Sequence, residues 1–416
     1  MTADTNTNTH VIVGGGLAGA AAAAAAATTL REEGFNGGIV LIGAEDDAPY
    51  NRPPLSKEYL QGTAARDTID VHPHQWYVDN HVDLRLGVTV TGIDPAAHEV
   101  SSDDGARIRY AELLLATGSS PRRLPVPGAD LDGVEYLRTV GDSDRIKTLL
   151  GSAQRVAVIG AGWIGLEVAA AARLAGVAVT VLDTEPLPLL RVLGPEVAQV
   201  FADLHRAHGV DLRLGVQVAE IVPDGDGRAR GVRLGDGALV AADAVIIGIG
   251  VAPNTALAQA AGLEMDNGVR VDAHLRSSDP DIYAAGDVAN AFHPLLETHT
   301  RVEHWANALH GGPAAARAML DQQAPFDRLP YFFTDQYDLG MEYTGHVEPG
   351  GYDQVVFRGD PATLEFVAFW LADGRVLAGM NVNIWDLTDD IAALVRGRRA
   401  VDPARLADPD VPLTEL

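Results

Sequence analysis

The 416-residue chain contains no cysteine. This absence excludes disulfides, thiolate metal ligands, cysteine nucleophiles and dithiol redox centres from its chemistry. Basic residues are also scarce, because 31 lysines and arginines stand against 57 aspartates and glutamates, a formal net charge of −26. A surface of this charge repels phosphate backbones, so we expect no nucleic acid partner.

The chain also has no long hydrophobic run. The alanine run at 20–27 is too short to span a bilayer, and the polar residues 1–9 carry no basic region typical of a signal peptide. We therefore expect no membrane segment and a cytoplasmic location, with which the absence of cysteine agrees. A chain of this length is expected to form two or three domains.

A glycine-rich segment near the N-terminus organises the first part of the chain. The apolar run Val11–Val13 leads into Gly14, Gly16 and Gly19, and the alanine run follows at once. In a strand–turn–helix unit, these three glycines permit the tight turn, the approach of a pyrophosphate and close helix packing, respectively. The phosphates then lie on the unpaired N–H groups at the start of the helix.

The same pattern recurs at Gly160, Gly162 and Gly165, after the apolar run 156–159 and before an apolar helix. One such motif is weak support for a nucleotide site, because glycine turns also occur by chance. Two in the same strand–turn–helix context predict two dinucleotides bound by two similar domains.

An acidic residue is expected to follow the second strand of each unit and to bind a ribose. Glu45 is the best placed acid in the first unit, since Ala44 cannot accept a hydrogen bond through its side chain, and Asp46 and Asp47 are the alternatives. Asp183 follows the strand 177–182 in the second unit, with Glu185 close behind. These acids repel a 2′-phosphate and favour NADH over NADPH, although an inward fold of Arg191 would weaken that preference.

A loop with three prolines, at positions 49, 53 and 54, carries Arg52 and Lys57. Prolines stiffen a chain, and we expect extended geometry here. One interpretation is a rigid surface connector with solvated charges. The other is that the loop holds Lys57 at a cofactor ring, where a cation stabilises the negative charge that reduction adds.

The remaining pattern predicts the domain plan. The runs 244–254 and 282–288 are expected to return to the first sheet, which places Asp287 beside a sugar alcohol or, alternatively, at a helix N-cap. Alternating strands follow residue 320. We predict an α/β protein with two Rossmann-like dinucleotide-binding domains, one discontinuous (1–118 and 246–320) and one continuous (119–245), and a C-terminal α+β domain with an antiparallel sheet (321–416).

The order of these motifs resembles that of FAD-dependent pyridine-nucleotide oxidoreductases with glutathione-reductase-like topology. More narrowly, it resembles the ferredoxin reductases of bacterial oxygenase and P450 systems. The resemblance rests on the segments 14–19, 53–57, 116–118, 136–139, 160–167, 286–287, 303–307 and 335–337. The segments 53–57 and 303–307 are specific to this branch, whereas the glycine motifs are widespread.

The resemblance implies two sets of cofactor-binding residues and no metal site. FAD is expected on Gly14, Gly16, Ala18, Gly19, Glu45, Arg52, Lys57, Val90, Arg138, Asp287 and Trp305. NADH is expected on Gly160, Gly162, Gly165, Glu167, Asp183 and Gly250, and the catalytic positions are Lys57, Glu167 and Trp305. Many relatives carry tryptophan where this chain has Phe332–Phe333, which is expected to alter contacts near the flavin.

The implied function is hydride transfer from NADH to FAD, followed by single-electron transfer to a [2Fe-2S] ferredoxin that serves a P450 or aromatic-ring oxygenase. Ferredoxins are usually acidic, so an acidic reductase needs a local basic patch for docking. Arg396, Arg398 and Arg399 are the main candidates, with Arg66 and Arg301. The alternative for the cluster at 396–399 is a cationic helix C-terminus that offsets the helix dipole.

Four other classes share this topology. Disulfide reductases and cysteine-dependent peroxidases need a thiol and are excluded. A reductase of monodehydroascorbate or quinones needs only FAD and NADH and stays open. A flavoprotein similar to apoptosis-inducing factor, acting as an interaction module, also stays open.

Overall fold

A computed structural model describes residues 8–15, 20–322 and 324–416, without the side chains of residues 20–22. The α-helices are α1 (Ala20–Glu32), α2 (Glu58–Gln61), α3 (His74–Asp79), α4 (Val140–Leu150), α5 (Trp163–Leu174), α6 (Leu190–Ala207), α7 (Ala256–Ala260), α8 (Trp305–Ala318), α9 (Thr388–Gly397) and α10 (Pro403–Ala407). The strands are β1 (Thr9–Val13), β2 (Gly38–Ile42), β3 (Val82–Arg85), β4 (Val90–Asp94), β5 (Glu99–Ser102), β6 (Arg107–Arg109), β7 (Glu112–Leu115), β8 (Ser119–Pro121), β9 (Val134–Tyr136), β10 (Arg155–Ile159), β11 (Ala178–Leu182), β12 (Asp211–Arg213), β13 (Val218–Pro223), β14 (Ala229–Leu234), β15 (Leu239–Ala241), β16 (Ala244–Ile247), β17 (Val251–Pro253), β18 (Val269–Val271), β19 (Ile282–Ala284), β20 (Ala289–His293), β21 (Thr298–Thr300), β22 (Tyr331–Gln336), β23 (Leu339–Gly345), β24 (Gln354–Asp360), β25 (Glu365–Ala372) and β26 (Arg375–Val382).

The chain divides into two compact units. The first unit comprises Met1–Pro53, Ala65–Ser120 and Val251–Arg328, and the second comprises Pro54–Ala64, Pro121–Gly250 and Leu329–Leu416. The segment predicted as a C-terminal domain therefore shares the second unit with the segment predicted to bind NAD. A division into three separate domains stays a prediction.

A parallel sheet with the strand order β19-β7-β1-β2-β3 forms the core of the first unit. Val11 and Ile12 are fully buried, since both faces of such a sheet are covered and its strands are apolar throughout rather than alternating. Helix α1 packs against α8 in this unit. The prediction that 282–288 returns the chain to the first sheet is confirmed, because β19 pairs with β7.

A second parallel sheet, in the order β12-β11-β10-β16-β9, lies in the second unit. The prediction that 244–254 returns to the first sheet is wrong, because β16 pairs with β10 through the register Val156↔Ala244. An apolar run shows that a strand is buried but does not show which of two similar sheets it joins. The chain leaves this unit only after Gly250.

The C-terminal segment forms an antiparallel sheet in the order β22-β23-β26-β25-β24, as predicted. It packs on α6 inside the second unit. The indole N–H of buried Trp370 donates to the Leu193 carbonyl at 3.0 Å. Gly194, just beyond, has a φ of +75°, and a Cβ there would lie 1.8 Å from the Tyr352 hydroxyl.

None of the helices in the described part of the chain is both long enough and apolar enough to cross a membrane.

Candidate functional site

The turn after β1 has the conformation that its glycines predict. Gly14 has a φ of +130°, and a Cβ there would lie 2.0 Å from the Ala116 carbonyl oxygen, so no other residue fits. The backbone N–H groups of Gly14 and Gly15 both donate to the Ile42 carbonyl, at 2.9 and 3.1 Å. Three predicted FAD contacts, Gly16, Ala18 and Gly19, lie outside the described residues.

Glu45 lies just beyond β2, where a ribose-binding acid is expected. Its carboxylate accepts a hydrogen bond from the Tyr50 hydroxyl at 2.6 Å. Tyr50 is fully buried, and the Arg52 guanidinium carbon lies 6.0 Å from the centroid of its ring. The proline-rich segment therefore fixes the orientation of Glu45. This role of Tyr50 was not predicted from the sequence, although Tyr50 lies in the same proline-rich segment as Arg52.

Asp287 and Trp305 lie in the same unit. Asp287 is inside the 3₁₀ turn Gly286–Val288, whose N-cap is Ala285, so the helix-capping alternative is wrong. Its carboxylate accepts from the Ser119 hydroxyl at 2.7 Å. Trp305 is the first residue of α8, and its indole N–H donates to the Asn51 side chain at 2.9 Å.

The other predicted FAD residues are spread over both units. Val90 is the buried first residue of β4 in the first unit. Arg138 lies in the second unit directly before the capping box of α4, and its backbone N–H donates to Asp142. The roles of these residues toward FAD stay predictions.

The three glycines after β10 in the second unit have three different environments. Gly160 has a φ of +106°, and a Cβ there would lie 2.3 Å from the Gly248 carbonyl. A Cβ on Gly165 would lie 2.0 Å from the Gly160 carbonyl, so this glycine lets α5 approach the turn. A Cβ on Gly162, the N-cap of α5, would have none of the described atoms within 4 Å. This open space at a helix N-terminus fits a pyrophosphate.

Asp183 immediately follows β11 and is tied to the glycine turn. Its Oδ2 accepts from the Ala161 N–H at 2.5 Å, and its Oδ1 accepts from the Glu185 N–H at 2.8 Å. The Arg191 side chain reaches back to Glu185, with Nε 2.7 Å from Oε1. The same unit contains Gly250, at a φ of +95°.

Lys57 and Glu167 form a buried ion pair in the second unit. The Lys57 ammonium lies 2.9 Å from Glu167 Oε1, and the two side chains are 9% and 4% exposed. The Ser56 hydroxyl donates to Oε2, and the Thr334 hydroxyl donates to Oε1, each at 2.5 Å. One carboxylate therefore receives three donors, and such charge-assisted bonds are roughly twice as strong as neutral ones.

Two expectations for the proline loop are wrong. Pro53–Ser56 form a 3₁₀ turn rather than extended chain, because the φ that proline fixes also suits a turn. The surface-connector interpretation fails because Lys57 is buried and paired. The Ser143 hydroxyl of α4 donates to the Leu55 carbonyl at 2.8 Å and holds the turn in place.

Phe332 and Phe333, which stand where many relatives carry tryptophan, lie in different surroundings. Phe332 stacks on Tyr343 with 4.6 Å between ring centroids, and its centroid is 4.9 Å from that of Trp163. Phe333 has the Lys57 ammonium 5.3 Å from its centroid. The effect of this replacement on contacts near the flavin stays a prediction.

The hydrogen-bonding residues around Glu167 were not predicted from the sequence. Ser56 lies in the segment 53–57 that carries the resemblance, so its position was visible but its bond was not. Thr334 and Gln336 follow the two-residue alternation of a strand and lie buried on β22. His205 on α6 carried no signal, since its partner Gln336 is distant in the chain.

The basic candidates for docking lie in different surroundings. Arg66 is paired with Asp47 and Asp70, and Arg301 is paired with Glu303. Arg396, Arg398 and Arg399 are exposed at the end of α9, whose first turn carries two aspartates. Docking and compensation of the helix dipole both stay open for this cluster.

Comparison with known proteins places the chain in a family. Residues 8–312 match the family described as pyridine nucleotide-disulphide oxidoreductase, and residues 331–416 match the reductase C-terminal family. The ferredoxin reductase subunit of 5,5'-dehydrodivanillate O-demethylase from a Sphingobium species is 42% identical, over 93% of this chain and 94% of the relative.

Two further comparisons agree. The ferredoxin–NAD(+) reductase component of the anthranilate 1,2-dioxygenase system of Burkholderia cepacia is 41% identical, over 92% of this chain and 94% of the relative. A solved structure of the covalent putidaredoxin reductase–putidaredoxin complex superposes with a TM-score of 0.93 and 38% identity, covering 98% of this chain and 97% of that chain. The chain belongs to the pyridine nucleotide-disulphide oxidoreductase family and is an NADH-dependent FAD oxidoreductase that contains no cysteine.

Proposed function

We propose that this protein is a ferredoxin reductase, which takes a hydride from NADH onto FAD and passes single electrons to a [2Fe-2S] ferredoxin that serves a P450 or aromatic-ring oxygenase. The observation that carries the proposal is the pair of glycine turns, each followed by an oriented acid, in a chain without any thiol. The relatives named for ferredoxin reduction support the same activity.

The residues of the first unit fit FAD. Gly14 has room for no side chain, Glu45 is oriented by Tyr50, and the Asp287 carboxylate is oriented by Ser119. We propose that these residues bind FAD together with Arg52, Val90, Arg138 and Trp305, and with Gly16, Ala18 and Gly19 of the glycine turn. FAD, when bound, accepts one hydride with its two electrons and releases these electrons one at a time, which is the conversion that an iron–sulfur acceptor requires.

The residues after β10 and β11 fit NADH. Gly162 leaves the start of α5 open, and Asp183 presents a fixed carboxylate beside it. Asp183 and Glu185 disfavour the charge of a 2′-phosphate, while Arg191 is engaged by Glu185. We propose NADH as the donor, bound by Gly160, Gly162, Gly165, Asp183 and Gly250.

The Lys57–Glu167 pair requires no proton transfer in this function. We propose that Glu167 fixes the Lys57 ammonium and that Lys57 offers a fixed positive charge to the reacting cofactor. Alignment of the two reacting groups contributes more to lowering the activation barrier than this charge does. Orientation alone lowers a barrier by several kcal/mol (roughly 7–11 in the best cases). Replacing Lys57 with methionine removes the charge and keeps an unbranched side chain of nearly the same reach.

We also propose a cytoplasmic location, where metabolism regenerates NADH. Fractionation of the producing cells with an antibody against the native protein tests it. Recovery with a membrane or secreted fraction would contradict this part of the proposal.

Electron delivery to ferredoxin is tested with purified [2Fe-2S] ferredoxin and a downstream acceptor such as cytochrome c. We expect turnover that depends on ferredoxin and falls with salt, because docking between charged surfaces is screened. A variant with Arg396, Arg398 and Arg399 changed to glutamate is expected to lose ferredoxin turnover and to keep reduction of a small quinone. Equal loss with both acceptors would contradict docking at this cluster.

A further inference from the structure

A row of buried hydrogen bonds leads from Glu167 into the C-terminal sheet of the second unit. The Thr334 hydroxyl donates to Glu167 Oε1 at 2.5 Å, and Gln336 Nε2 donates to Thr334 Oγ1 at 3.2 Å. Gln336 Oε1 lies 2.8 Å from His205 Nε2. His205, Gln336 and Thr334 are each at most 1% exposed.

The direction of every bond in this row follows from one imidazole. Gln336 Oε1 can only accept, so His205 carries its proton on Nε2. Burial lowers the pKa of His205 from 6.5 to about 4, so the ring is neutral at pH 7 and its Nδ1 is an acceptor. That nitrogen faces the Tyr337 hydroxyl at 3.5 Å. The Gln336 amide N–H then points at Thr334, and the only remaining acceptor for the Thr334 proton in this row is Glu167.

Packing alone does not account for this row. A buried hydroxyl, amide and imidazole add no stability that apolar side chains of similar volume would lack, and each costs about 1–3 kcal/mol if left without a partner. The row ends at the carboxylate that holds the Lys57 ammonium. A satisfied network of this kind fixes one arrangement of its members.

We propose that Thr334, Gln336 and His205 are positioning residues that hold Glu167, and through it the Lys57 ammonium, in the geometry used for hydride transfer from NADH to FAD. This inference rests on the proposed function of Lys57. It assigns to the buried histidine the task of setting the polarity of the row, with no proton moving along it.

The first experiment replaces Thr334 with valine, which keeps the shape and removes the donor. Anaerobic stopped-flow measurement of flavin reduction at saturating NADH is expected to show a rate about tenfold lower, with the NADH dissociation constant little changed. Thr334→Ser restores the donor and is expected to restore most of the rate. Thr344→Val is the matched control, because it removes a buried hydroxyl from the neighbouring strand β23 outside the row.

A double-mutant comparison separates positioning from general damage. If Thr334 acts through Lys57, then Thr334→Val slows the Lys57→Met variant no further. Rate factors that multiply in the double variant would show that the threonine is only structural. If Lys57→Met alone reduces flavin at the normal rate, the proposed function of Lys57 fails. If flavin reduction is slow in Lys57→Met but normal in Thr334→Val, the proposed function of Lys57 stands and the inference about Thr334 fails.

A readout independent of turnover comes from the imidazole itself. ¹⁵N NMR of histidine-labelled, FAD-loaded protein at pH 7 gives one signal that disappears in the His205→Gln variant and so belongs to His205. We expect this signal to show a neutral ring that is protonated at Nε2. The near-isosteric Gln336→Glu places a carboxylate against that nitrogen and is expected to raise the pKa of His205, while it slows reduction as Thr334→Val does. Protonation at Nδ1, or normal reduction in Gln336→Glu, would overturn the proposal.

Discussion

In both units an acid follows the second strand after the glycine turn, but different hydrogen-bond donors orient the two acids. In the first unit, Glu45 is oriented by the buried Tyr50 of the proline-rich segment. In the second unit, Asp183 is oriented by backbone N–H groups, one of them from Ala161 in the glycine turn itself. The Glu45 tether comes from Tyr50, which lies outside the glycine turn, whereas the Asp183 tether comes from the glycine turn itself. The second site is therefore the more self-contained of the two.

The largest effect is expected from glycines that have no room for a Cβ. Gly160→Ala forces a methyl group against the Gly248 carbonyl at positive φ, and we expect a loss of about 2–5 kcal/mol in the free energy of unfolding. The methyl group of Gly162→Ala would have no atom of the described residues within 4 Å. This variant is expected to keep the melting temperature but to weaken NADH binding roughly tenfold or more. Thermal melts and NADH titrations check both; equal stability of the two variants would contradict the account.

Removing charge from the two acids sharpens the contrast between side-chain and backbone tethers. Asp183→Asn introduces an NH₂ group opposite backbone donors, and we expect NADH binding to weaken about tenfold. Glu45→Gln keeps an acceptor for the Tyr50 hydroxyl, and FAD is expected to be retained with only a few-fold loss of affinity. Fluorescence titration of each cofactor measures this. A larger loss for Glu45→Gln would reverse the comparison.

The donor preference depends on a surface ion pair in the second unit. Arg191 is 77% exposed, so its pair with Glu185 contributes little to stability. Glu185→Ala releases the guanidinium for a 2′-phosphate, and kcat/KM with NADPH is expected to rise several-fold, with NADH less affected. Glu185→Asp is the control that keeps the charge. No gain with NADPH would show that Arg191 cannot reach the phosphate.

Two buried groups, one in each unit, are expected to affect stability in opposite directions as the pH changes. Burial raises the pKa of Glu112 in the first unit to about 7, above its ordinary 4.5. The contribution of this group to stability is thus full below pH 4.5 and is lost as the pH rises through 7. Glu112→Gln is expected to raise the melting temperature relative to the unmodified protein more at pH 8 than at pH 5, by about 1–3 °C.

The pKa shift of His205 in the second unit has the opposite direction. Its folded pKa of about 4 lies below the ordinary value, so its contribution is present above pH 6.5 and is lost as the pH falls toward 4. His205→Gln is expected to flatten the decline in melting temperature over that range. An unchanged slope would show that another group dominates acid unfolding.

Local patterns predicted much of this molecule. The glycine turns, the acids after β2 and β11, and the alternating strands beyond residue 330 all depend on short-range sequence. The sheet membership of β16 did not follow, because both parallel sheets bury the same kind of apolar strand. The surroundings of Glu167 did not follow either, since Ser56, Thr334 and His205 come from three separate segments.

The most direct test of the central claim mixes the purified, FAD-reconstituted protein with NADH, and separately with NADPH, in an anaerobic stopped-flow cell. The account predicts rapid loss of the flavin absorbance with NADH and a much slower loss with NADPH. Failure to bind FAD, or an unchanged spectrum with both nucleotides, would contradict the claim that these two glycine turns support electron transfer from NADH.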